Sequence, residues 1–175
     1  MSRYVAFLRG INVSGQKLIK METLRQYFEM PGIKNVVTYI QSGNVIFDAT
    51  LAREKLQVKI EKQLAQQLGY SVPVILRTIS ELEAVIKNNP YKSRELADGA
   101  KLYVYFLASS PDPVQVVLLS AYLSSGEAFT VIGRELYFLS TAFGNTKLTL
   151  SVIERKLGVK ATARNWATVN TVINM

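Results

Sequence analysis

Neither cysteine nor histidine occurs among the 175 residues. Their absence excludes Cys/His zinc sites, a Ser-His-Asp triad and a thiolate nucleophile. It also excludes a disulfide framework, which fits a reducing compartment and gives the expectation of a cytoplasmic protein. Any acid–base chemistry must use Asp, Glu, Lys or Tyr. Acidic residues are few, 13 Asp and Glu together, and no close carboxylate pair has the spacing of a metal loop. No metal ion or cofactor is therefore expected. Long apolar runs are missing as well, since no window approaches the ~18 residues of a membrane span. The segment before Arg9 has an apolar run of only five residues, Tyr4 to Leu8, and no small-residue cleavage site follows, so it does not read as a signal peptide. No membrane partner is expected.

What is present is a globular composition, with 49% hydrophobic and 19% charged residues. Such a chain buries a sizeable core, and its length suits one large domain or two small ones. The net charge is +8, unevenly spread. Residues 1–78 hold eleven Lys/Arg against five Asp/Glu, whereas residues 79–175 hold ten against eight. A basic half favours a phosphate-bearing partner, a nucleotide or nucleic acid, because a positive surface attracts anions. The same excess also serves as an ordinary solubility device.

The order of elements repeats. Tyr4 to Leu8 reads as a strand, and Arg9 to Gln16 as a loop. Met21, Leu24, Tyr27 and Phe28 mark a helix stopped by Pro31-Gly32. Val36 to Ile40 and Val45 to Phe47 flank the turn residues Ser42-Gly43-Asn44. Leu56, Ile60, Leu64 and Leu68 give a second helix ending at Gly69, and Pro73 to Arg77 a fourth strand. Ser80-Glu81-Leu82-Glu83 reads as a capping box opening a linking helix that ends near Pro90. Lys101 to Ala108 starts the second half. Ser110-Pro111 reads as a cap and first helical residue, with Val114, Val117, Leu118 and Ala121 as a buried stripe. Ala128 to Ile132 and Leu136 to Leu139 form a hairpin. Leu150, Ile153 and Leu157 mark a helix ended by Gly158, followed by a strand stub near Lys160 to Thr162. Trp166, Val169, Val172 and Ile173 give a C-terminal helix. The fold class is α+β, with two ferredoxin-like β-α-β-β-α-β halves: residues 1–78, a linking segment 79–100, and residues 101–175. The repeat rests on element order, not on sequence identity between the halves.

This topology places candidate residues. A right-handed crossover makes the first two strands parallel, so the loop after the first strand and the hairpin after the second share one end of the sheet. Arg9, Asn12, Ser42 and Asn44 are expected there, beside the N-terminus of the first helix. Arg9-Gly10-Ile11-Asn12-Val13-Ser14-Gly15 matches neither a P-loop nor Gly-x-Gly-x-x-Gly. It reads either as a ligand loop, with Arg9 as an anion fork, or as a turn in which Asn12 bonds local backbone. Gln41-Ser42-Gly43-Asn44 likewise reads as a turn or as part of a site. Trp166 has the helical spacing of a core anchor. Lys55, Lys59 and Lys62 lie on one helix face, as on a solvated surface or a nucleic-acid contact. Tyr103 and Tyr105 share a strand face, an arrangement that stacks RNA bases on some sheets.

Arg9-Gly10-Ile11-Asn12-Val13, Thr38 to Val45, and Arg164-Asn165-Trp166 followed by Thr168-Val169 together resemble the bacterial domain-of-unknown-function family 1697, essentially end to end. Ser14 and Ala167 depart from the residues usual there. The resemblance implies two ferredoxin-like halves and no assigned reaction. It adds Arg164, Asn165 and Trp166 to the candidate ligand-binding residues. Three functional classes follow: a binder of a phosphate-bearing ligand, an enzyme working through Arg/Asn electrostatics, and an interaction module. The first is preferred. No catalytic residue is assigned, and the oligomeric state is not legible.

Overall fold

A computed structural model describes residues 1–13, 15, 17–92, 99–141 and 145–175. Ser14, singled out above, lies outside the described residues, as does part of the linking segment. The chain divides into two compact units, one of Met1–Glu83 with Thr171–Met175, the other of Ala84–Asn170.

In the first unit the order is β1 (Ser2–Leu8), α1 (Met21–Phe28), β2 (Ile33–Tyr39), β3 (Asn44–Ala49), α2 (Arg53–Leu68) and β4 (Val74–Thr78). The sheet order is β2-β3-β1-β4, and every neighbouring pair is antiparallel. β1 and β2 therefore run parallel to each other, as the ferredoxin-like fold requires. Period-2 alternation sends Tyr4, Ala6 and Leu8 into a cluster with Leu24 and Phe28 of α1 and Leu56, Ile60 and Leu64 of α2. Phe47 sits at its centre, 5.6 Å from the Phe28 ring and 6.0 Å from Tyr4. The four-residue recurrence along α2 is the signal that buries this helix. Truncating any one of its three fully buried side chains to Ala costs about 2–5 kcal/mol. Val5, Phe7, Ile46 and Ile75, on the opposite face, are buried too.

α3 (Ile79–Lys87) follows directly from β4. Its cap is Thr78, not Ser80 as the sequence suggested. The Thr78 Oγ1 accepts from the Glu81 N–H, and the Glu81 carboxylate accepts from the Thr78 N–H, a reciprocal capping box two residues earlier.

The second unit repeats the scheme: β5 (Lys101–Leu107), α4 (Pro113–Leu118), a 3-10 turn (Leu119–Tyr122), β6 (Glu127–Ile132), β7 (Glu135–Ser140), α5 (Leu150–Leu157), β8 (Ala161–Asn165) and α6 (Trp166–Val172). Its sheet order is β6-β7-β5-β8. β8 is a full five-residue strand paired along β5, not the stub read from the sequence. Its Ala161 and Ala163 face the second core while Thr162 and Arg164 alternate to the other face, but alanine has little strand propensity, so the alternation is a weak signal. Tyr105 is buried against Phe138, so the Tyr103/Tyr105 face is core and not a stacking platform.

Register reveals identity that element order alone did not. Tyr4-Val5-Ala6-Phe7-Leu8 and Tyr103-Val104-Tyr105-Phe106-Leu107 occupy equivalent positions and differ at one residue. Arg77 opposes Val5 as Arg164 opposes Val104. Thr78 caps α3 as Asn165 caps α6, the latter accepting from the Thr168 N–H at 2.7 Å. Leu8 N–H donates to Gly43 O as Leu107 N–H donates to Arg134 O. Glu61 of α2 accepts from the Val74 N–H, and Glu154 of α5 from the Ala161 N–H, each at 2.9 Å. Both helices end on a left-handed glycine, Gly69 or Gly158.

α4 departs from expectation. The cap is Asp112, whose carboxylate accepts from the Val114 N–H, and Pro113 rather than Pro111 opens the helix. Val114, Val117 and Leu118 are 65%, 70% and 53% exposed, and Ala121 is exposed as well. The buried residue is Leu119, one position along. The segment is apolar on two opposite sides, with only Gln115 and Ser120 polar, so periodicity could not say which face docks inward.

Candidate functional site

Beyond β1 the chain enters residues 9–20, whose described residues include the left-handed positions Gly10, Asn12, Gly15 and Lys17. Only Gly adopts this region without cost, and Asn tolerates it better than most. Asn12 holds the turn. Its Oδ1 accepts from the Ile19 N–H at 2.7 Å, and its Nδ2 donates to Ile19 O at 3.1 Å and to Gln41 O at 2.9 Å. The first two bonds close the loop on itself, and the third ties it to the β2–β3 hairpin. Both amide hydrogens are thereby used on backbone carbonyls, so Asn12 offers no donor to a developing oxyanion.

The hairpin is equally determined. Ile40 is left-handed at φ 47°, unusual for a β-branched residue, and Gly43 at φ 79°. A Cβ on Gly43 would lie 2.5 Å from Ile11 Cδ1 and 3.0 Å from Leu8 Cβ. Ile11 is buried, plugging the space that Gly43 leaves open. Asn44 is fully buried, and its Nδ2 donates to Tyr39 O and to Ser42 Oγ. Leu8 N–H donates to Gly43 O and Arg9 N–H to Pro73 O, which fixes where the Arg9 side chain starts.

Asn12 and the Ser42–Asn44 turn thus meet at the end of the sheet where Arg9 leaves β1. Asn12 and Asn44 build that end from within, Ser42 is exposed, and Arg9 is half-buried. Two cations that sequence reasoning passed over stand here too. Lys17 places Nζ 4.8 Å from the Tyr70 ring centroid, and Lys20 occupies the N-cap of α1, where its side chain makes no capping bond. The signal was available: a Lys, not Ser, Thr, Asp or Asn, directly before a helix. Val13, Leu18 and Ile40 are exposed on the same loop and hairpin.

Arg164, Asn165 and Trp166 lie in the second unit. Arg164 is buried and donates to Thr162 Oγ1 at 2.8 Å and Ala163 O at 2.7 Å. Burial pushes its guanidinium down to about 9. Asn165 is exposed and caps α6, while Trp166 is half-buried at the first position of that helix. Lys59 of α2 donates to Pro31 O, whereas Lys55 and Lys62 are exposed beside Val58. Among the described residues no three carboxylates converge as a metal site would need. No described helix is long and apolar enough to cross a membrane.

The half-buried Asn12–hairpin staple and the Arg-Asn-Trp strand end are built from the segments that carried the sequence resemblance. The profile of "Protein of unknown function (DUF1697)" matches residues 1–137. The chain belongs to the DUF1697 family. Among solved structures, the conserved bacterial protein SP0830 from Streptococcus pneumoniae is similar at a TM-score of 0.78. It shares 24% identity, over 99% of this chain and 97% of that one. That likeness shows a common fold. No curated protein matches the sequence. In this chain Arg9-Gly10-Ile11-Asn12 lies in the β1–α1 loop, Ser42-Gly43-Asn44 at the β2–β3 turn, and Arg164-Asn165-Trp166, beyond the matched residues, at the β8–α6 junction.

Proposed function

We propose that this DUF1697 protein binds a phosphate-bearing ligand, such as a nucleotide, at the β1–α1 loop. The supporting observation is Lys20 at the N-cap of α1. A cation at the positive end of a helix dipole is unfavourable by some tenths of a kcal/mol, and an anion there reverses the sign. Lys17 and Arg9 arise from the same loop, and Glu22 is the acidic residue in the first turn of α1. Loop N–H groups and these cations are the contacts, and Asn12 and Asn44 are positioning residues. The exposed Val13, Leu18 and Ile40 offer apolar surface to the non-phosphate part of the ligand. Nucleic acid would need a basic surface extending from this loop, and Lys55 and Lys62 of α2 are the candidates for it.

The test is a thermal-shift titration with nucleotides, inorganic phosphate and short RNA and DNA. A ligand that binds only the folded state at 100 times its Kd raises stability by about 2.7 kcal/mol. Lys20→Ala is expected to weaken binding while leaving the unliganded melting temperature nearly unchanged, and Arg9→Ala is expected to weaken binding. Absence of any shift with all four ligand classes at low salt refutes the proposal. A gel-shift complex with RNA or DNA that ignores Lys55→Ala and Lys62→Ala would confine nucleic-acid contact to the loop.

A further inference from the structure

The two units close equivalent ends of their sheets differently. In each, the residue after the first strand donates its N–H to the residue before the last strand: Arg9 to Pro73 O at 3.0 Å, and Ala108 to Lys160 O at 2.8 Å. The connections that meet there differ in length. Residues 9–20 join β1 to α1, whereas residues 108–112 suffice between β5 and α4. Residues 69–73 join α2 to β4, whereas residues 158–160 suffice between α5 and β8. After the left-handed Gly158 the second unit packs Val159 against its core. The first unit uses the buried Val72 in that place, so Tyr70 and Ser71 are additions. The second unit completes the same β-α-β-β-α-β scheme with neither extension, so the fold does not require them. In the first unit the two extensions meet each other. Tyr70 packs against the first core and stays half-buried, and Lys17 places Nζ over its ring, 4.8 Å from the centroid.

Given the phosphate-binding reading of the β1–α1 loop, on which this rests, we propose that Tyr70 and Lys17 read the two halves of a mononucleotide. The Tyr70 ring stacks the base, and the Lys17 ammonium takes the phosphate. The backbone keeps Lys17 near the ring: Asn12 N–H donates to Lys17 O at 3.2 Å, and the Asn12 side chain holds Ile19 two residues on. An ammonium over an exposed ring is weakly held, and a stacked base is favoured more strongly by the same ring. A base that takes the ring releases the ammonium, which then pairs with the phosphate of the same ligand in a charge-assisted hydrogen bond. A sugar phosphate or inorganic phosphate has no group that could displace Lys17 from the ring. Tyr70 has room for one base, whereas single-stranded nucleic acid is held on successive rings along a basic groove. The occupant is therefore a free mononucleotide.

Isothermal titration calorimetry of the full chain at low salt, with adenosine monophosphate, ribose phosphate and inorganic phosphate, tests this. Adenosine monophosphate is expected to bind about tenfold more tightly than ribose phosphate, the weight of one stacked base. Tyr70→Leu is expected to erase that preference while leaving the affinity for ribose phosphate unchanged, which also shows that the loop is still folded. Tyr70→Phe keeps a stacking ring and should retain the preference. Lys17→Gln should weaken both ligands. Equal affinity of wild type for adenosine monophosphate and ribose phosphate overturns the proposal and leaves the phosphate site standing. So does a preference that survives Tyr70→Leu. A short single-stranded oligonucleotide that binds more tightly than adenosine monophosphate overturns the choice of a free mononucleotide. Failure of all three small ligands to bind overturns the proposal together with the phosphate site.

Discussion

Replacing Asn12 separates a residue that builds the loop from one that touches a ligand. Asn12→Ala removes three hydrogen bonds, two through Ile19 and one to Gln41 O. At about 0.5–1.5 kcal/mol each, and discounting for water that reaches this half-buried position, the loss is roughly 1–3 kcal/mol. Ala must also hold φ 51°, which adds about 1 kcal/mol. The expected total is about 2–4 kcal/mol, or roughly 4–16 °C in melting temperature at ~2–4 °C per kcal/mol. Asn12→Gly relieves the dihedral cost and should recover about 1 kcal/mol of it. Asn12→Asp keeps the acceptor for the Ile19 N–H but turns an anionic oxygen towards two carbonyls, so it should be at least as destabilising as Ala. Differential scanning calorimetry of the three variants gives the order Gly above Ala, with Asp at or below Ala. A result in which Asn12→Ala melts with wild type yet loses all ligand affinity would refute the positioning role and make Asn12 a direct contact.

Two further perturbations follow from the same geometry. Gly43→Ala forces a Cβ to 2.5 Å from Ile11 Cδ1 at φ 79°. It should cost about 2–5 kcal/mol as the sum of dihedral strain and overpacking. In urea titrations the Ile11→Ala/Gly43→Ala double variant should be less destabilised than the two single losses added together, because Ile11 supplies the closest clash, and strict additivity would contradict this. Asp48 accepts from Asn35 Nδ2 at 2.7 Å and from Arg3 at 3.1 Å, and the Asn35 bond foremost, with Arg3, holds its carboxyl below the ordinary 3.8. A carboxyl depressed in the folded state stabilises above its unfolded pKa, and that stability is lost as pH falls through the folded value. Wild type should therefore out-melt Asp48→Asn at pH 6, with the gap narrowing below pH ~4. A gap that stays constant down to pH 2 would show the ion pair to be irrelevant.

Much of the architecture was legible because it depends on local rules. The four-residue recurrence of Leu56, Ile60 and Leu64 needs only the helical period to define a buried stripe. Left-handed glycines at Gly69 and Gly158 mark helix ends whatever lies beyond them. Chain connectivity with a right-handed crossover was enough to bring Asn12 to the Ser42–Asn44 turn. Tertiary structure decided what local rules leave open. Whether Asn12 serves a ligand or a backbone depends on which carbonyls lie within ~3 Å of its amide, and one of them comes from 29 residues away. The β8 strand read only as a stub because its core-facing residues, Ala161 and Ala163, have little strand propensity, and pairing with β5 makes it a full strand. α4 is the limiting case. Its residues carry no charge, but a helix apolar on two opposite sides holds no information about which of them faces its own core. The sheet chose Leu119 and left Val114, Val117 and Leu118 in solvent, because burial belongs to packing partners and not to the sequence of the helix itself.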